Sequence, residues 1–480
     1  MRMPKLHTEV DQRSEVTPYG GLSLFSDFVR RFKVAQTLDA NLDVLKLHLP
    51  YFESDHVLAQ AANLYVGGTC IEDMASLQNS EAALRLLGAC RIPDPTTAGD
   101  FLRRFDEGVN RGSLEDLRSA VDEVEGAVWK ELSPRRGRRR VKRDVAVVDL
   151  DGHTKIVYGA KKQGADFSHK GQWSYHPLLV SMAGTGECLA VKNRSGNLRS
   201  SDGAAEVLDE VLTRVDEHYE EKLVRGDSDF DRHDMRRVCE EHGALFFFVG
   251  REFQNRPGIA ASIPESQWRP FRTRAHRQRA ERKKQQGYRP RRKKRNRRRM
   301  RARQRNYKDK KLVRQWVAEV PYTQPGCDKT YRLVVRRRLI EHRKGQQHLF
   351  DEYEYRYVST NAPWSWTARD VVDATYERCD QENVIEQMGS GLAAWRMPVG
   401  EFAGNSAWLE IARLAWNIGK WIAQLSMPPE VVRWEWKRFR QAYVYLAAQV
   451  IKRGRQVWIR LSDSHRFATS LVAARQKLQT

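Results

Sequence analysis

Between Asp144 and Gly250 the order of the apolar segments constrains the fold more than any other feature of the chain. DVAVVDLDG is short and β-branched, a strand that ends at Gly152. TKIVYGAKK and YHPLLVSMAGTGECLAVKN follow as further strands, the second folding back on itself at the turn from Gly184 to Gly186. An amphipathic helix comes next, with Ala204, Val207, Leu208, Val211, Leu212 and Val215 recurring along one face. KLVRGDSDF is a short strand, Asp231 stands where it can cap a helix that stops at Gly243, and ALFFFVG is apolar throughout, as a strand buried on both faces must be.

Three strands of antiparallel type, then helix, strand, helix and strand, is the order of an RNase H-like sheet. The predicted fold class is therefore α/β: an RNase H-like mixed sheet with flanking helices, a helical N-terminal domain and a β-rich insertion. LFSDFVRRFKVAQTL and DHVLAQAANLYV carry apolar residues at three- and four-residue spacing, so the chain up to about Leu132 is predicted helical. In IPDPTTAGDFLRRF, Thr96 or Thr97 can cap a helix that buries Phe101, Leu102 and Phe105 and exposes Arg103 and Arg104. That helix is either part of a helix-turn-helix reader of DNA or an ordinary helix with a solvated basic face.

From about Arg251 the pattern dissolves into a basic segment with too few apolar residues to join a core. RQWVAEV, YRLVVRRRLI and YEYRYVSTN then alternate with period two and form the insertion. ARDVVDATYERCDQENVIEQM, NSAWLEIARLAWNIGKWIAQL and EWKRFRQAYVYLAAQVIKRG are predicted helices. Trp408, Leu409, Ile411, Leu414 and Ile418 are core candidates, and a helical hairpin closes the fold. The expected division is 1–140, end-binding helices and basic linker; 141–250, first part of the core; 251–362, insertion and basic arm; 363–480, second part of the core and C-terminal helices.

Charge adds the partner class. The net charge is +23, and the segment Arg272–Lys311 alone holds 22 Lys or Arg against Glu281 and Asp309. Basicity so concentrated suits a polyanion. Candidate DNA contacts are Arg138, Arg139 and Arg140 in the linker, Lys161 and Lys162, and Arg291, Arg292, Lys293, Lys294 and Arg295 in the arm. The six cysteines are scattered without a CxxC pair, which fits small buried hydrophobes in a reducing compartment. With no apolar run of about 18 residues and no apolar core near the N-terminus, neither a membrane span nor a signal peptide is expected, and the expected location is the cytoplasm, at the nucleoid.

Three acids are placed for chemistry. Asp151 ends the first strand, with Asp149 two residues earlier on the same face; Asp227 ends the strand after the amphipathic helix. Glu382 follows Arg378 by four residues, so the two share a helix face. Carboxylates brought together repel unless a cation lies between them, and hard Mg²⁺ or Mn²⁺ prefers such oxygens. Two ions about 3.5–4 Å apart can activate a hydroxyl and stabilise the leaving oxygen. Without metal, the three acids are expected to splay apart yet face one cleft. Glu377 and Glu386 are decoys on the same stretch. His153, His169 and His176 lack HxxxH or HExxH spacing and are structural histidines on this reading; Trp364 and Trp366 are assigned to the core.

VVDLDGHTKIVYGAKKQGADFSHKGQWSYHPLL, LVRGDSDF, YERCDQENVIEQMGSGLAAWRMP and FAGNSAWLEIARLAWNIGKW together resemble the DDE transposases of bacterial insertion sequences, in the group numbered thirteen-eighty. The similarity runs from about Pro93 almost to the C-terminus. The resemblance implies that Asp151, Asp227 and Glu382 bind the metal ions, and it favours Asp151 over Asp149 because Gly152, His153 and Thr154 follow it. It maps the family's Tyr–Arg–Glu signature to Tyr376, Arg378 and Glu382, with Arg378 gripping a phosphate. Two positions depart from the pattern: only Glu377 separates Tyr376 from Arg378, where the family has two residues, and Gly389 stands where a Lys commonly follows the Glu by seven. The implied activity is metal-dependent cleavage at the ends of a mobile element and transfer of the freed strands to target DNA, by a homodimer on paired ends. The alternatives are a nuclease or resolvase without strand transfer and an inactive, transposase-derived DNA-binding protein.

Overall fold

A computed structural model describes residues 8, 14–105, 113–136, 139–251, 255–285, 310–324, 327–342, 352–454 and 456–480. Nine strands form one mixed sheet: β1 (Arg143–Gly152), β2 (Leu178–Met182), β3 (Cys188–Lys192), β4 (Tyr219–Gly226), β5 (Leu245–Gly250), β6 (Arg269–Pro270), β7 (Lys310–Thr323), β8 (Thr330–His342) and β9 (Glu352–Thr360). Their spatial order is β6-β7-β8-β9-β5-β4-β1-β2-β3. The centre, β1, β4 and β5, is parallel. On one side β2 runs antiparallel to β1 and β3; on the other, β6–β9 form an antiparallel run joined to β5 through β9.

Parallel neighbours require crossovers, and here the crossovers are helices. The helix Ala204–His218 joins β3 to β4, and His233–Glu241 joins β4 to β5. All six apolar residues predicted on the first of these are buried, and they pack with Ala146, Val148 and Leu150 of β1. The apolar strand ALFFFVG is the inner strand β5, with Phe246, Phe247 and Phe248 fully covered.

Several sequence expectations are corrected. TKIVYGAKK is not a strand of the main sheet: only Lys155–Ile156 is extended, in a small sheet with Trp173–Tyr175 and Asp166–Phe167. Gly159 at φ 98° breaks the run. Asp231 caps nothing; its carboxylate is buried against Arg236 and Arg256, and Arg232 stands at the cap without a side-chain bond. The segment after Arg251 does not dissolve, because a helix Asn255–Ser262, strand β6 and a basic helix Arg274–Gln285 follow. Ala260, Ile263 and Trp268 build a small core with Leu333, Val335 and Tyr357 of the sheet.

At the N-terminal end the chain is helical as expected, but LFSDFVRRFKVAQTL breaks in two at Lys33, whose φ is 51°. Asp94, not a threonine, caps the helix Pro95–Arg103, accepting from the Thr96 and Thr97 amides at 2.9 and 3.0 Å. Phe101, Leu102 and Phe105 are buried, and Arg103 and Arg104 are exposed. ARDVVDATYERCDQENVIEQM is also two helices, Ala368–Tyr376 and Cys379–Ser390, with the break at Glu377 and Arg378.

The predicted closing hairpin is replaced by a central helix, Phe402–Ser426, buried along almost its whole length. Trp408, Leu409, Ile411, Leu414 and Ile418 are all fully buried there. EWKRFRQAYVYLAAQVIKRG leaves the helix after Tyr443, and Ala448–Arg453 pairs with Gln456–Leu461 and with Glu15–Thr17. One apolar core joins helices of the first 132 residues, the central helix, the C-terminal helix and residues Leu179, Cys188 and Val191 of the sheet. Trp366 packs on Phe247, whereas Trp364 is exposed under the Arg332 guanidinium and is not core. The five described cysteines are free thiols, and among the described residues no helix is long and apolar enough to cross a membrane.

Candidate active site

The β1–β4 register sets Asp149 opposite Arg225. Two residues further along, Asp151 and Asp227 stand side by side at the C-terminal ends of two adjacent parallel strands. Above them lies the helix Cys379–Ser390, which touches β1 and β2. Three bonds fix it: Arg378 donates to the Leu150 carbonyl at 3.1 Å, and the buried Gln381 donates to the Leu179 carbonyl at 3.1 Å while accepting from Ser181. Glu382, next to Gln381, is exposed.

Charges in this cleft act on one another. Burial pushes the Asp151 carboxyl up to about 6; Arg378 opposes the rise, and Asp227 and Glu382 add to it. Asp227 is raised by burial as well, against Arg378 and Arg251. Each of these two half-buried acids accepts a backbone amide, Gly152 N–H at 2.9 Å on Asp151 and Asp229 N–H at 2.9 Å on Asp227. The three carboxylates are not all within 4.8 Å of one another, and the three histidines singled out form no such group either. Asp149 is in a different state. It is fully buried and held by both arms of Arg225 at 2.6 and 2.7 Å.

Asp151, Asp227, Arg378 and Glu382 are thus brought to one cleft, and Tyr376 is not. Its ring lies under the Arg336 guanidinium at 5.0 Å and lines a separate cavity with Phe271, Lys420 and Trp434. The break at Glu377 turns it away from the helix that carries Glu382. Gly389 is explained sterically: a Cβ there would come within 2.5 Å of Trp395, whose indole donates to the Ile385 carbonyl and whose ring meets His153 at 4.9 Å. His153 is held well below the usual range, at about 4, by burial and by Lys155.

The expected DNA contacts divide. Lys161 is exposed. Lys162 points inward, donating to the Met397 carbonyl at 2.6 Å and to Val399, and Arg140 is tied to Glu131 and to the Ser133 carbonyl. Both are already engaged within the fold. Arg138, the Arg139 side chain and Arg291, Arg292, Lys293, Lys294 and Arg295 lie outside the described residues. Sequence reasoning missed Gln381, Arg225 and Arg251; the first two were legible only as neighbours of an acid, and Arg251 is remote from Asp227 in sequence.

Residues 7–480 match the profile of a family described as "Transposase DDE domain group 1". The chain belongs to that family, and so is a transposase of the DDE class. A solved chain described as piggyBac transposase, in a synaptic complex with hairpin DNA, is 11% identical with a TM-score of 0.38, covering 88% of this chain and 79% of that one. No curated protein matches the chain.

Proposed function

We propose that this transposase cuts and joins DNA by metal-dependent phosphoryl transfer at Asp151, Asp227 and Glu382. One observation carries the reading: two half-buried acids stand at the ends of adjacent parallel strands, and a third carboxylate on the helix above is near enough to raise Asp151. The strand order β3-β2-β1-β4-β5, with β2 antiparallel to its neighbours, supports an RNase H-like core. The bidentate Arg225 clamp on Asp149 supports Asp151 as the first acid.

The donor set fits a hard divalent cation. It offers carboxylate oxygens with one backbone donor on each half-buried acid and, among the described residues, no ion pair, and their mutual repulsion falls when positive charge arrives. DDE transposases use divalent metal ions in general. Two Mg²⁺ or Mn²⁺ ions here would polarise the phosphoryl group and acidify the attacking hydroxyl. Arg378, anchored at Leu150, borders the cleft and offers its remaining donors to a phosphate oxygen beside the cut. In the first step a water oxygen forms the new bond to phosphorus as the bond to the 3′ oxygen breaks; in the second that freed 3′-hydroxyl attacks a phosphodiester of target DNA, forming its bond to phosphorus as the target's own 3′ oxygen leaves.

The wider reading follows the same line: an enzyme of bacterial insertion sequences, working at the nucleoid in the cytoplasm as a homodimer on paired ends. In it residues 1–140 bind element ends, 141–250 and 363–480 form the core, and 251–362 insert the basic arm. The test is a plasmid carrying the element ends, incubated with the protein and Mg²⁺, with and without chelator. Cleavage that stops in chelator and precut ends that join a target are expected. Chelator-resistant cleavage overturns the metal reading; cleavage without joining leaves a nuclease.

A further inference from the structure

On the face of the Cys379–Ser390 helix away from the acid cleft lies a second cavity, of about 650 Å³, walled by Gly184–Gly186, the start of the basic helix and the chain after the central helix. Its unusual member is Lys420, on the central helix. This side chain is 7% exposed; among the described residues its Nζ reaches the Val432 carbonyl at 3.3 Å and the Trp416 ring at 4.7 Å. No carboxylate pairs with it among the described residues, and burial holds it down at about 8 against the pull of Glu187. An ammonium buried without a counter-charge is costly unless a ligand supplies one.

The rest of the wall supplies no counter-charge. Glu377 is bound by Arg274 at 2.6 Å, and Asp373 by Arg277. Arg433 at the rim is exposed and has no ion-pair partner among the described residues. Arg336 has the neutral Gln315 oxygen at 2.7 Å and lies between Phe271 and Tyr376. A recess with a buried cation, two further cations and the Tyr376 ring, at the root of the segment Arg272–Lys311, matches a flexible polyanion with stackable groups.

We propose that this recess holds a phosphodiester group of an unpaired DNA strand, with Lys420 at its floor and Arg433 and Arg336 at its rim. Lys420 lies below the rim, where a single strand reaches and the broad backbone of a duplex does not. The inference rests on the transposase reading, which supplies DNA as the partner.

The test is fluorescence anisotropy with a 12-nucleotide single-stranded oligonucleotide between 50 and 200 mM salt, on the full chain. Lys420→Met is expected to bind about tenfold more weakly and to flatten the slope of log K against log salt by about 0.7, one single-strand phosphate. Arg433→Gln, an exposed change, flattens the slope without altering the melting temperature and decides the matter if Lys420→Met does not fold. Wild-type slopes in the folded variants overturn the proposal. So does a free mononucleotide that displaces the oligonucleotide while the slopes stay unchanged, since the recess is then a nucleotide pocket. Glu382→Gln separates the two readings: it keeps the wild-type slope, and a Glu382→Gln protein that still cleaves sinks the catalytic assignment while leaving the recess standing.

Discussion

Two clusters of charge in this molecule contain the same kinds of residue and are built on opposite plans. Between the helix Ser113–Leu132, the helix Ala204–His218 and the central helix, three acids meet three arginines: Arg413 holds Glu410 and Asp122, each at 2.7 Å, Arg118 holds Glu410 at 3.2 Å, and Arg214 holds Asp122 at 2.9 Å and Glu125 at 3.3 Å. At the ends of β1 and β4 and on the helix above them, Asp151, Asp227 and Glu382 make no ion pair among the described residues, and Arg378 is the main cation acting on Asp151 and Asp227. Matched charge joins helices. Unmatched charge of one sign is costly to hold in place, and on the proposed reading a ligand of the other sign offsets that cost.

The largest expected effect breaks the comparison on its functional side. Asp151→Asn, Asp227→Asn and Glu382→Gln each keep shape and remove charge; each is expected to lower Mg²⁺-dependent cleavage about a thousandfold, the equivalent of several kcal/mol, while end binding and melting temperature hold. A variant that cleaves at near the wild-type rate takes its residue out of the site. The structural cluster predicts the reverse pattern. Arg413→Met leaves Glu410 and Asp122 short of a partner and is expected to cost about 3–5 kcal/mol in urea unfolding. An unfolding midpoint equal to wild type would show that the cluster contributes nothing.

A smaller effect lies in pH. Burial pushes Glu125 up to about 8 from 4.5, with Asp122 and Glu187 adding and Arg214 and Arg413 opposing. Because the folded carboxyl keeps its proton longer than the unfolded one, this group's contribution is most favourable below about 4.5 and is lost as pH rises towards 8. Glu125→Gln never ionises, so its unfolding midpoint should fall less than that of wild type between pH 5 and pH 8; parallel curves would place the Glu125 charge elsewhere. The smallest effect is at the decoys. Glu377 is spent on Arg274 and Glu386 is exposed, so Glu377→Gln and Glu386→Gln should cleave within about twofold of wild type.

Legibility followed the range of the interactions. Period-two and period-3.6 patterns found β1–β5, the two crossover helices and the core of the central helix, because burial there is set by neighbours along the chain. Local reasoning failed where a distant partner decides. Asp231 looked like a cap until Arg236 and Arg256 claimed it, and AAQVIKRG looked helical until the strands Gln456–Leu461 and Glu15–Thr17 paired with it. The acids were visible as strand-end residues, but what separates Asp149 from Asp151 is Arg225, on another strand. Tyr376 was assigned through the resemblance even though its spacing to Arg378 departs from the pattern, and the break at Glu377 leaves it lining another cavity.

The shared core has a consequence for how such a protein can change. Asn417 of the central helix bonds both the amide and the carbonyl of Cys188 on β3, each at 2.8 Å, while the same helix packs against Glu53–Val66 and Ser113–Leu132. The N-terminal helices are therefore not a cassette. This region cannot be exchanged for another without rebuilding the wall behind the sheet, so change there is confined to its exposed side chains, one at a time.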